Sequence, residues 1–317
     1  MVAVGSMLVV VASIILGISR PTPILALEGM VPVLVAPAYP ILAMSLWRRR
    51  WVFATSSALL VVAHLVLCLP AATVDATPSW VAQAPTFSIY SANVRFDNDR
   101  YDAIAISVMR SNADVVVLNE VRPAHRAALE RAGAMRRYTT EVHSDSPYSF
   151  GDLIMTRLPA TEPQLVGAGV MQIPEVTIAV GSAHVRVMAV HPRSPPTARL
   201  EAKGWFADYA SLRVAATYAA SQGPLVMAGD FNATLWHEPF RHLLDAGFTD
   251  AHDALGEGLT GSWAPLEFHG VGGSLLRLDH CLYSPGIAAR SIRNGEIPGS
   301  DHRPFLATLA VRPSASS

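Results

Sequence analysis

Six short stretches of the 317-residue chain carry side chains that can bind a cation or move a proton: SANVRF (91–96), VVLNE (116–120), AVH (189–191), GDFNA (229–233), LDH (278–280) and SDHRP (300–304). They supply Asn93, Glu120, His191, Asp230, Asn232, Asp279, Asp301 and His302, a set of amides, carboxylates and imidazoles without a thiol. Hard oxygen donors of this kind suit Mg2+ or Mn2+. Such an ion neutralises phosphate charge, and imidazoles donate to phosphate oxygens or to a leaving group, so the set has what hydrolysis of a phosphate ester needs. Each residue alone has a plainer use. Asp230 and Asn232 suit an Asx turn or a helix cap, Asp301 and His302 a turn fixed by Pro304, and His191 a hydrogen-bonded edge position before Pro192. Their joint occurrence points to chemistry. The only cysteines, Cys68 and Cys281, give neither a disulfide framework nor a Cys-type zinc site.

These residues sit where strands stop. Runs of β type occur at 87–94, 114–119, 153–156, 176–180, 185–191, 225–229, 278–283 and 305–311, and helical spacing at 101–110, 123–132, 198–220 and 237–246. Grouped strands with interspersed helices predict two sheets packed face to face with helices outside; a doubly wound sheet is the competing arrangement. His280 directly follows Asp279, faces the other side of a regular strand, and is assigned a structural role. Arg157 and Tyr148 are candidate phosphate contacts whose plainer uses are an ion pair and packing, and Trp236 and Trp263 are candidates for a lipid-side groove or for the core.

In this order and spacing the six stretches closely resemble the endonuclease/exonuclease/phosphatase superfamily, over residues 86–312. The resemblance implies an α/β fold, a four-layered sandwich of two packed mixed sheets flanked by helices. It implies a metal site at Asn93 and Glu120, with Glu120 the principal ligand of Mg2+ (or Mn2+) and Asp301 a second carboxylate near the ion. Asp230 resembles the residue that orients or deprotonates attacking water, and Asn232 its phosphate-holding neighbour. His302 resembles the histidine on the scissile phosphate, oriented by Asp279, and His191 the other family histidine, a general acid or phosphate donor. Members that cut DNA at damaged sites carry an acidic residue two positions after the asparagine. Arg95 stands there in this chain, which weakens a nuclease reading and makes Arg95, with Arg157, a candidate substrate-binding cation.

Ahead of this domain the composition changes. Overall 51% of residues are hydrophobic and 15% charged, which excludes intrinsic disorder. The apolar excess lies in uncharged runs at 2–19, 29–47 and 51–70, each near the ~20 residues a helix needs to cross ~30 Å of hydrocarbon. The expected organisation is an anchor of three transmembrane helices in residues 1–75, a linker at 76–85, the domain at 86–312 and a fraying tail at 313–317. Arg48, Arg49 and Arg50 face the cytoplasm by the positive-inside rule, which places the domain outside the inner membrane of a bacterial cell. A cleaved signal peptide would lack its basic start, and Pro32, Pro37 and Pro40 keep a re-entrant hairpin open for the second run.

With residues 1–79 set aside, 20 basic and 23 acidic side chains remain, so no basic surface for a polynucleotide is apparent. The expectation is a membrane-anchored, metal-dependent phosphoester hydrolase with an extracytoplasmic domain acting on an envelope or lipid-linked phosphate. Its layout is similar to bacterial membrane members of the superfamily linked to teicoplanin-type resistance. The expected partners are the lipid bilayer and a phosphate ester, with nucleic acid disfavoured; the sequence does not give an oligomeric state. An extracytoplasmic Mg-dependent endonuclease or exonuclease and an inactive lipid- or partner-binding module are the alternatives.

Overall fold

The structure, a computed structural model, describes residues 2–18, 22–145, 151–195, 203–265 and 274–313. Tyr148 and the expected helix start at 198–202 lie outside them. The apolar N-terminus forms α1 (Val2–Leu16), α2 (Thr22–Glu28), α3 (Val31–Leu34), α4 (Ala38–Trp47) and α5 (Trp51–Cys68). This corrects the expectation of three transmembrane helices: among the described residues only α5 is both long and apolar enough to cross a membrane. Its 18 residues reach ~27 Å, whereas the 15 of α1 reach ~22 Å. The second run is broken into α3 and α4, with Pro32 at the start of the one and Pro37 capping the other, because proline lacks the N–H that would continue a helix.

The remainder begins with β1 (Thr86–Asn93), α6 (Tyr101–Ser111), β2 (Val115–Asn119), α7 (Pro123–Arg131), α8 (Ala134–Arg137), β3 (Thr140–Ser144) and β4 (Asp152–Thr156). It continues with β5 (Ala160–Ala168), β6 (Met171–Val180), β7 (Ala183–Val190), α9 (Lys203–Ser221), β8 (Leu225–Asp230) and α10 (Glu238–Asp245). It ends with β9 (Thr249–Asp250), α11 (Ala251–Ala254), β10 (Asp279–Tyr283), β11 (Ile287–Asn294) and β12 (Phe305–Val311). One sheet has the order β11-β12-β1-β2-β4-β3 and the other β5-β6-β7-β8-β10-β9. Both are mixed, each with one parallel pair, β1 with β2 and β7 with β8. The two-sheet arrangement holds.

Strand periodicity builds the layers. Phe87, Ile89, Val115, Val117, Ile154, Val185, Val187, Val226, Ala228 and Cys281 fill the space between the sheets. Their alternates turn outward: Tyr90, Ala92, Val116 and Leu118 meet α6 and α7, while Leu225, Met227 and Leu282 meet α9 and α10. The result is α/β/β/α.

The N-terminal helices pack on this sandwich. Leu25 of α2 is buried in the same apolar cluster as Phe231 and Phe240. Three side chains from one short segment donate to carbonyls in α1, α2 and α5: Arg241 Nη2 to Ile14 O (2.7 Å), His237 Nε2 to Leu25 O (2.9 Å) and Trp236 Nε1 to Leu67 O (3.4 Å). All three carbonyls lie in the last turn of their helices, where they have room for a further donor. Between the N-terminal helices and the sandwich the chain is held too, by a bridge between Val74 and Leu255 and by Asp75 N donating to Ala254 O.

Candidate active site

Counting by twos from the inter-sheet core brings six polar residues to one place. Asn93 shares the inward face of β1 with Phe87 and Ile89; Asn119 follows Val115 and Val117, and Asp152 precedes Ile154. On the other sheet, His191 continues the inward series of Val185, Val187 and Ala189, Asp230 that of Val226 and Ala228, and Asp279 precedes Cys281. The parallel pairs end together, and the antiparallel β4 and β10 start beside them: Asn119 pairs with Asp152, and Asp230 with Asp279. His280 has the opposite parity. It lies outside the sheet against Phe231 and Phe240, bonded to Asp250 and to Ala233 O, a structural residue as expected.

The backbone is constrained around this cluster. Glu120 (φ 60°), Arg95 (φ 61°) and Asn232 (φ 49°) all adopt the left-handed region that non-glycine residues rarely occupy. Gly229, at φ 142°, permits the close approach of β7 and β8, since a Cβ there would lie 2.1 Å from Val190 O.

The amides tie the two sheets together. Asn93 Nδ2 donates to Glu120 Oε1 (2.9 Å) and Asp230 Oδ2 (3.0 Å), while its oxygen accepts from Arg95 N (2.9 Å). Glu120 Oε2 accepts from Phe96 N at 2.8 Å. Asn119, to which no role was assigned, donates to Asp152 Oδ1 (2.8 Å) and accepts from Asp230 N (3.0 Å). Asn232 N donates to Asp230 Oδ1 (2.8 Å) and its side chain to Pro192 O (3.0 Å).

Each histidine has an acidic partner on its Nδ1. His302 Nδ1 donates to Asp279 Oδ2 at 2.8 Å, and its Nε2 lies 3.5 Å from Asp230 Oδ2. His191 Nδ1 lies 3.3 Å from Asp152 Oδ1, and its Nε2 points at Asp230 (3.8 Å) and Glu120 (3.9 Å). Asp152 was missed in the sequence because only the antiparallel pairing of β4 with β2 carries it to this end of the sheet. Burial alone would lower the His302 pKa, but the charges of Asp279 and Asp230, with Asp301 beyond, hold it up at about 10. At His191 burial is likewise outweighed, by Asp152, Asp230 and Glu120, and the pKa rises to about 9. Burial raises the Asp230 carboxyl above its usual range, against the pull of His302 and with the push of Asp279. The acidic side chains around them thus favour the protonated form of both rings.

The other candidates divide. Asp301 lies near enough for its charge to act on His302, and its Oδ2 accepts the Trp263 indole N–H at 3.0 Å. Trp236 is not; it packs among the N-terminal helices. Arg95 stands beside Asn93, with its guanidinium paired to Asp97. Arg157 is a correction: it pairs with Asp114 and Asn112 at the opposite end of β2, because Thr156 lies opposite Val115 rather than Asn119. A substrate phosphate at Glu120 is out of its reach.

The oxygen-rich donor set fits a hard divalent cation. Asp230, Asp279 and His302 have ligating atoms within 4.8 Å of one another. Within that trio His302 Nδ1 is already bonded to Asp279 Oδ2 at 2.8 Å, and its Nε2 lies 3.5 Å from Asp230 Oδ2. Glu120, bonded to Asn93 Nδ2 and 19% exposed, is a further oxygen donor at the edge of the cluster.

A family model described as "Endonuclease/Exonuclease/phosphatase family" matches residues 90–302. No curated protein matches the chain. Similar solved structures include a 3′ phosphatase, NExo, from Neisseria bound to product DNA hairpin, with 22% identity, a TM-score of 0.55, and 70% of this chain and 98% of that one covered. They also include an AP endonuclease from Archaeoglobus fulgidus, with 16% identity, a TM-score of 0.58, and 70% and 98% covered. A truncated TDP2 from Caenorhabditis elegans has 17% identity, a TM-score of 0.57, and 71% and 98% covered. At these identities the likeness is one of fold.

Proposed function

This chain belongs to the endonuclease/exonuclease/phosphatase family and is a metal-dependent phosphoester hydrolase, and we propose that it works anchored in a bacterial inner membrane, its catalytic domain outside, on an envelope or lipid-linked phosphate. The carrying observation is the direct continuity between site and anchor. Asn232 is followed within nine residues by Trp236, His237 and Arg241, all bonded to carbonyls of the N-terminal helices. A substrate phosphate presented at the bilayer surface would lie near a site held in this way.

The geometry of α5 supports this orientation. Arg48, Arg49 and Arg50 precede its first residue, and Leu67 in its last turn meets the domain, so the basic turn and the domain are ~27 Å apart. That separation is close to the hydrocarbon thickness, and the basic end belongs on the cytoplasmic side. Exposed Val52, Leu59, Val62 and Val66 give α5 an apolar outer face, as α1 has at Val9 and Ile15.

In the mechanism, Glu120, Asn93 and Asp301 would hold a divalent cation, which would supply neutralisation of phosphate charge when bound. Asp230, its basicity raised by burial, orients and deprotonates the attacking water. His302, clamped by Asp279, donates to a phosphate oxygen. His191, backed by Asp152, is placed to protonate the departing oxygen. Asn232 holds a further phosphate oxygen.

Full-length protein in detergent or nanodiscs, given Mg2+ or Mn2+, should release phosphate from polyprenyl phosphate or pyrophosphate and stop on adding chelator. Cleavage of plasmid DNA with lipid phosphates untouched would establish the nuclease reading instead, and no turnover on either with intact metal binding the inactive-module reading. A reporter fused after Ser317 should be active only outside the cytoplasm.

A further inference from the structure

We propose that the turn between α4 and α5 is a binding site for anionic phospholipid headgroups. The proposal rests on the membrane reading above and adds a partner to it. Arg48, Arg49 and Arg50 are all exposed, and among the described residues no carboxylate lies within ion-pair distance of them. The sequence has no Asp or Glu anywhere between Glu28 and Asp75. Three guanidinium groups on a short turn repel one another and need counter-charge, which this part of the chain does not provide.

The turn is built rather than loose. Arg48 N donates to Met44 O (3.0 Å), Arg49 N to Leu46 O (3.1 Å) and Arg50 N to Ser45 O (2.8 Å), and Arg49 takes φ 55° to close it. Side chains at three successive residues therefore fan outward from a fixed backbone. Trp47 (76% exposed) and Trp51 (67% exposed) flank the arginines, and the Arg48 guanidinium lies 6.0 Å from the Trp47 ring centroid. Exposed indoles beside an apolar helix settle at the headgroup level of a bilayer. Guanidinium groups there meet phosphodiester oxygens, which their planar fork matches in pairs. A zwitterionic headgroup covers its phosphate with its own cation, whereas an anionic one leaves net charge for the arginines. The chosen occupant is therefore an anionic phospholipid such as phosphatidylglycerol.

The test uses the full chain reconstituted in phosphatidylcholine bilayers, with brominated phosphatidylglycerol or brominated phosphatidylcholine substituted stepwise and tryptophan quenching read as relative affinity. The wild type should prefer the anionic lipid by about 10-fold or more, and the combined Arg48→Gln, Arg49→Gln, Arg50→Gln variant by less than about 2-fold, while hydrolysis in detergent is unchanged. Equal quenching by the two lipids, in a chain that still floats with neutral vesicles, would overturn the site alone. Suppression of the preference by millimolar inorganic phosphate would reassign it to a free anion. An arginine-dependent dimer in neutral bilayers would mean that a second copy provides the counter-charge. Failure to float with any vesicle would overturn the membrane reading and this site with it.

Discussion

Asp279 Oδ2 receives the Nδ1 proton of His302 at 2.8 Å, while Asp230, directly opposite Asp279 on the neighbouring strand, lies 3.5 Å from the other ring nitrogen. The ring is fixed in orientation by two strands of one sheet. Asp279→Asn keeps the shape and removes the charge, so kcat should fall by roughly 100-fold or more with little change in KM. Steady-state kinetics with a retained circular dichroism spectrum checks it; a variant within 3-fold of wild type would end His302's role as an oriented donor.

Asp152 provides the same service to His191. Replacing it by Asn takes away the nearest charge that keeps His191 protonated, so the His191 pKa must fall from about 9. A general acid works only below its pKa. The alkaline limb of the pH–rate profile should therefore move to lower pH in Asp152→Asn, and the rate at pH 8 should drop more than at pH 6.

The N-terminal helical segment is part of the domain's packing. Leu25 occupies the cluster of Phe231, Phe240 and Trp205. Leu25→Ala should cost about 2–4 kcal/mol, read as a lowered melting temperature of the full chain in detergent. A fragment beginning at residue 76 should be destabilised further, since His237, Trp236 and Arg241 also lose their acceptors.

Acidification should loosen this junction. His237 accepts from Thr234 N at Nδ1 and donates to Leu25 O at Nε2, an arrangement open only to the neutral ring, and burial lowers its pKa to about 4. An unfolded histidine titrates near 6.5, so between about 6.5 and 4 the unfolded state binds the extra proton. The contribution, on the order of 3 kcal/mol, is whole above pH 6.5 and is lost as pH falls through 4. Hydrogen exchange at residues 234–241 should rise across that window, and His237→Gln should flatten the response.

Much of the fold was legible because strands in the middle of a sheet are continuous apolar runs. VVVLN, VMAV and LVMAG announce β2, β7 and β8 at nearly their observed limits. The strands missed, β3, β5, β9 and β11, are the four sheet edges. Edges need only one partner and are kept polar and irregular: β5 carries Pro163 with a register shift, and β11 another at Ala289. Of the three long apolar runs, 51–70 matches α5, whereas 2–19 gives a helix of only 15 residues and 29–47 misled for a related reason. Hydropathy counts side chains but not the backbone donors that Pro32 and Pro37 remove, and so the second run was read as one helix.

The sequence by itself determined the chemistry available: which carboxylates, amides and imidazoles stand at strand ends, and that alternation turns Asn93, His191, Asp230 and Asp279 toward the inter-sheet space. Only the tertiary structure decided which of them meet. Strand direction separates Arg157 from Glu120 and joins Asp152 to His191, although each pair is split by more than 30 residues. Contacts across a sheet depend on register and direction, which are set by hydrogen bonds between distant segments and leave no local mark in the residues themselves.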